Sequence, residues 1–267
     1  MHGIGVRSSS HIIDEKKGEK TITGDCERSV NSAKKEKESF VPHEEAMKRL
    51  DTMFGDSVRN RFITDLVDAA LPSICHNRPL PCTEKDPLLC LSVDHVGQLM
   101  AEADRAFCAR YTGDHGGKTA TLLATYPFLQ EIVNNLKAAA TLSGAKGSSQ
   151  NFSRPLLTIF SGHDTVVAPV LAALSVYSST ELCRWPPYAS RIVFELWQPV
   201  GRAVQDINTE SFVRILYNGL DLTSKIPTCH DEVKKQHGLC SLGSFAQQVM
   251  NSLGGKENLQ DACKVPS

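Results

Sequence analysis

No apolar run in the 267-residue sequence approaches the ~18 residues of a membrane-spanning helix. Charge of one sign is missing as well. The formal net charge is −1, which leaves no electrostatic footprint for nucleic acid or an anionic membrane. The first twenty residues, MHGIGVRSSSHIIDEKKGEK, lack an apolar centre and do not read as a signal peptide. No internal repeat is visible.

What remains is the composition of a globular chain, 41% hydrophobic and 22% charged, long enough for a sizeable core. Nine cysteines stand out. Two uses compete for them: disulfides in an oxidising compartment, or zinc ligands. Asn151 in NFS is a glycosylation acceptor pattern and tilts the choice slightly toward the secretory route.

Residues 1–42 are charged and without clear apolar periodicity, and read as a disordered or degraded segment. Residues 43–267 read as the folded domain. Helical spacing is expected over 43–71, 88–113, 119–142 (with Pro127 breaking or restarting it) and 242–255. A buried strand is expected over 155–160, then a helix through Tyr177. The runs 191–200 and 211–219 are further strands, the second ending in the turn pair Asn218–Gly219. The fold class is α/β: a mixed sheet flanked by helices, with a helical middle region.

The stretch SGHDTVVAPVLAAL (161–174) puts His163 and Asp164 between the expected strand and helix. Asp164 could simply cap that helix. Pro169 favours another reading. With Asp164 as cap, Pro169 would be the fifth helical residue, where its missing N–H and its ring begin to cost. A helix starting nearer Pro169 leaves Asp164 in a loop at a strand's C-terminal end, where open α/β sheets bind ligands and a helix N-terminus favours an anion.

SGHDTVVAPVLAAL, WPPYASRIVFELW and VRILYNGLDL together resemble the histidine acid phosphatases over roughly 75–267, most of all their 2-phosphoxylose phosphatase branch. The resemblance implies that His163 binds the phosphoryl group and that Asp164 protonates the leaving oxygen, work suited to a carboxylic acid. It implies a phosphohistidine intermediate and no metal, nucleotide or other cofactor. By the same resemblance the expected substrate class is a small phosphomonoester or a phosphorylated glycan, such as the xylose of a glycosaminoglycan linker, and the expected compartment is the Golgi lumen. It further implies a disulfide between Cys229 and Cys240, and a phosphate-binding Arg28 from the likeness of DCERSVNSA (25–33) to a family stretch.

The family's nucleophile lies in Arg-His-Gly-x-Arg-x-Pro on a central strand. His–Gly occurs three times, at His2, His115 and His237, never after arginine. No nucleophile is assigned, and the expectation is a chain without that first central strand and with weak turnover. Two other readings stay open. One is an inactive anion- or partner-binding relative. The other is a zinc-stabilised interaction module built on Cys229, His230, His237 and Cys240. Cys75, Cys82 and Cys90 are expected in structural bridges, and Cys183 has no partner assigned.

Overall fold

A computed structural model describes residues 63–83, 86–88, 90–113, 117–143, 157–178, 181–200 and 204–264. Arg28, Asn151 and most of the helix expected over 43–71 lie outside them. The described chain opens with three helices, α1 (Ile63–Cys75), α2 (Val93–Thr112) and α3 (Gly117–Ser143). Ser92 caps α2 in a reciprocal box. Its hydroxyl accepts the His95 N–H, and the His95 ring accepts the Ser92 N–H.

α3 runs unbroken through Pro127, against the expected break. A helical proline costs ~3 kcal/mol, while each buried large apolar side chain contributes ~1.5–3 kcal/mol. Leu123, Leu129, Ile132 and Val133, all buried, flank Pro127 and outweigh it. The same competition settles α4 (Asp164–Ala173). The helix does not start near Pro169. It starts at Asp164, with Pro169 inside and Ala168, Val170 and Leu171 buried around it.

Nor does α4 reach Tyr177. Ser175 takes a left-handed φ of 61°, and the N–H groups of Ser175 and Val176 donate to the carbonyls of Ala172 and Leu171. Those bonds close the helix end.

The expected strand over 155–160 is not found in its described part. Residues 157–163 belong to no ladder among the described residues. A strand needs a partner for its backbone groups. Without one, Leu157 and Ile159 stay 55% and 57% exposed. Phe160 is the anchor, packed edge-on against Phe128.

The sheet forms where β-rich sequence pairs locally. β1 (Ile192–Trp197) lies antiparallel to β2 (Phe212–Tyr217), with the short helix α5 (Ile207–Glu210) between them. β3 (Leu220–Asp221) and β4 (Cys240–Ser241) both pair with β2. Asn218 and Gly219, with φ of 50° and 89°, form the two-residue hairpin turn. The α/β expectation stands, and the ladders among the described residues are all antiparallel.

Period-2 alternation turns Val213, Ile215 and Tyr217 inward. There they share one core with α3, α4 and the helix α7 (Leu242–Asn251), whose Phe245 is fully buried. The helices α6 (His230–Val233) and α8 (Leu259–Cys263) complete the C-terminal part.

Candidate active site at the start of helix α4

His163 is the N-cap of α4, in extended conformation, and its side chain makes no capping hydrogen bond. The ring is exposed. Asp164 is the first helical residue and half-buried. Its Oδ1 accepts the Thr165 N–H at 2.9 Å, and its Oδ2 accepts the indole N–H of Trp185. Gly162 lets the chain enter closely, since a Cβ there would stand 3.3 Å from Val166 Cβ.

Trp185 comes from the loop between α4 and β1. Its backbone N–H donates to Asp104 Oδ1 at 3.0 Å, and its ring lies 5.9 Å from that of Phe107. The Cys108–Cys183 disulfide ties the same loop to α2. Burial pushes the Asp104 carboxyl above its ordinary value, against the pull of the Trp185 N–H and the Arg184 charge. Below Trp185, the buried Tyr177 hydroxyl donates to the Arg184 carbonyl. Burial, then the charges of neighbouring tyrosines and aspartates, hold its pKa far above the usual phenol range.

Tyr188, 65% exposed, donates its hydroxyl to Asp68 of α1. That bond, more than its partial burial and the nearby charges of Asp68, Cys75 and Asp164, pushes the phenol up to about 12. The site thus draws α1, α2, α4 and the 183–188 loop together around one carboxylate.

Of the residues expected from sequence, His163 and Asp164 stand side by side at an exposed helix N-terminus. Arg28 and Asn151 fall outside the described residues. Cys229 and Cys240 form the expected disulfide, at an S–S distance of 2.03 Å. That bond consumes two of the four ligands of the zinc reading and overturns it. Among the described residues no group of three or more His, Cys, Asp or Glu side chains gathers as a metal site.

Cys82 pairs with Cys90, but Cys75, expected in a bridge, is free and exposed. Cys263 is also disulfide-bonded. Trp185, Asp104 and Tyr188 were missed as site residues, because their contacts span 21, 81 and 120 residues of sequence. Cys183, two residues before Trp185, was the available signal: a cysteine there needed a partner.

A family model described as the histidine phosphatase superfamily (branch 2) matches residues 109–218. Residues 109–218 belong to this superfamily. The histidine phosphatase match encloses His163, Asp164, Trp185 and the β1–β2 pair. The chain is also similar to the 2-phosphoxylose phosphatase 1 of Mus musculus, 31% identical over 208 residues, covering 74% of this chain and 38% of the relative. The Homo sapiens protein of the same name is 29% identical over 208 residues, with the same coverage. A third relative, counting factor 60 of Dictyostelium discoideum, is 25% identical over 201 residues, covering 75% of this chain and 38% of the relative. The chain thus spans about two fifths of the length of the curated relatives it matches.

Proposed function

We propose that this chain carries the phosphate-ligand and proton-donor part of a phosphomonoesterase site, acting on a small phosphorylated molecule. The observation that carries the reading is the α4 terminus. There an exposed His163 adjoins a carboxyl that Thr165 and Trp185 hold in place. A helix N-terminus favours an anion through its unpaired N–H groups and its dipole. Protonated Asp164 would give its proton to the ester oxygen as the P–O bond breaks. The phosphoryl group passes to the attacking group, the leaving oxygen departs as an alcohol, and Asp164 is left as a carboxylate with two donors waiting. The attacking group is unassigned, because no Arg-His-Gly occurs in the 267 residues.

The names of the relatives support phosphorylated xylose as the substrate class, with a glycosaminoglycan linker as its expected carrier. Three disulfides among the described residues support maturation in an oxidising compartment, hence the secretory pathway, with the Golgi lumen as the expected station. A substrate that is small and phosphorylated, with no nucleic-acid partner, agrees with the near-neutral net charge. Residues 43–267 then form part of a histidine phosphatase domain, preceded by the charged segment 1–42.

The test is release of p-nitrophenol from its phosphate ester at about pH 5, near the ordinary carboxyl range, together with phosphate or vanadate binding. Expected results are weaker anion binding in His163→Ala and turnover at least ~10⁴-fold below that of a relative with the arginine–histidine motif, since each lost oxyanion donor costs ~3–4 kcal/mol. Equal anion binding in the unmodified chain and His163→Ala overturns the ligand role. Robust turnover of an alkyl phosphate, whose leaving group does need a proton, that Asp164→Ala abolishes overturns the expectation of weak catalysis and points to His2 as nucleophile. Anion binding without any turnover supports the second reading, an inactive anion-binding relative.

A further inference from the structure

The geometry points to Trp185 as a positioning residue for the Asp164 carboxyl, held in turn by one face of α2; the inference rests on the proton-donor reading above. A carboxyl on a one-carbon stem turns about a broad terminal torsion. A proton donor must nevertheless present one oxygen to the leaving group. Two donors, one on the next residue and one from the following loop, fix that torsion: the Thr165 N–H on Oδ1 and the Trp185 indole N–H on Oδ2. Each carboxylate oxygen has room for a further partner, so the pair orients the group without occupying it.

The indole is itself tied down at three points. Asp104 accepts its backbone N–H, Phe107 packs against its ring, and the Cys108–Cys183 bond anchors the chain two residues before it. Asp104, Phe107 and Cys108 stand at i, i+3 and i+4 on α2, hence on one helix face. Through Trp185 that face reaches Asp164. A rigid helix supporting an orienting side chain is the arrangement that holds a reacting group within a fraction of an ångström.

Both tryptophans of the sequence donate to a carboxylate, Trp185 to Asp164 and Trp197 to Glu195, so one serves as control for the other. Among the described residues, His163 adjoins Asp164 in the chain and Tyr177 and Tyr188 interact with it electrostatically, while Asp68 faces Tyr188 and Asp104, with Arg184 beside it, faces Tyr177. In the ¹⁵N-labelled full chain, the two indole Nε1–H signals are assigned with Trp197→Phe and followed from about pH 7 to about pH 3, across the carboxyl range.

The Trp185 signal is expected to show a step that vanishes in Asp164→Asn, while the Trp197 step persists. A Trp185 signal without a step, or with the same step in Asp164→Asn, overturns the link. In the second arm, Trp185→Phe keeps a ring but removes the N–H. The kcat on an alkyl phosphate is expected to fall roughly 10-fold or more, while p-nitrophenyl phosphate, whose leaving group needs no proton, changes less than about twofold. Equal losses on both substrates overturn the positioning role. No turnover of either ester by the unmodified chain defeats the phosphatase reading alone, and the indole titration still decides whether Trp185 holds Asp164.

Discussion

Between Ile192 and Asn251 the chain closes on itself. β2 is paired along both edges, the Cys229–Cys240 bond is fully buried, and Phe245 sits in the core against Phe194. Glu232 accepts from the Ser241 N–H and from the hydroxyls of Ser241 and Ser244, fastening the start of α7. Between Leu157 and His163 nothing similar is found. The stretch has no ladder among the described residues, two exposed branched side chains and an uncapped helix start. The comparison separates two jobs. The C-terminal unit is fastened by ladders, a disulfide and core contacts, and the candidate chemistry sits at the end of an approach with no ladder among the described residues, steadied from the far side by Trp185.

The contrast can be broken most directly in the core. Phe245→Ala is expected to cost about 3–5 kcal/mol, the transfer of a ring plus the cavity it leaves, read from denaturant unfolding. A loss under about 1 kcal/mol would deny that α7 anchors the unit. Next comes the covalent clasp. Replacing Cys229 and Cys240 together by serine frees a loop with a sequence separation of 11 and is expected to cost about 3 kcal/mol. An unchanged Tm in the double variant would show the bond to be redundant.

A smaller effect is expected at Glu232. Burial pushes its carboxyl up, but the hydrogen bonds from Ser244 and Ser241 outweigh that and leave it below its ordinary 4.5. A depressed folded pKa gives stability that is present above the unfolded value and lost as pH falls through the folded one. Glu232→Gln should therefore cost about 1–2 kcal/mol at neutral pH, and the gap should close below 4.5. A gap that widens on acidification reverses the assignment. The least effect is expected on the exposed approach. Leu157→Ala and Ile159→Ala should each stay within about 0.5 kcal/mol. A loss of 2 kcal/mol or more at either would mean that the stretch is covered, and the comparison would fail.

Sequence was a good guide wherever the signal was local. The β1 and β2 runs, the Asn218–Gly219 turn and the α2 and α7 helices all follow from patterns a few residues long. It misled at Pro127 and Pro169, where local cost pointed to a break and burial of neighbouring apolar side chains overrode it. It misled again at Ser175, a residue with no strong left-handed preference that ends α4 two residues before Tyr177. The 157–160 segment has a strand's composition, but a ladder is a property of two segments. The support of the site was illegible for the same reason. Asp104 and Trp185 lie 81 residues apart, and only the fold states their relation.

The Cys108–Cys183 bond carries one more consequence. It seals residues 109–182, and with them His163 and Asp164, inside a covalent ring with a sequence separation of 75. A chain pulled from its two ends cannot pay out that ring. At ~3.5 Å of contour per residue, roughly 260 Å of length stays hidden under oxidising conditions and is released when the bond is reduced. The candidate site is thus shielded from mechanical extension by topology.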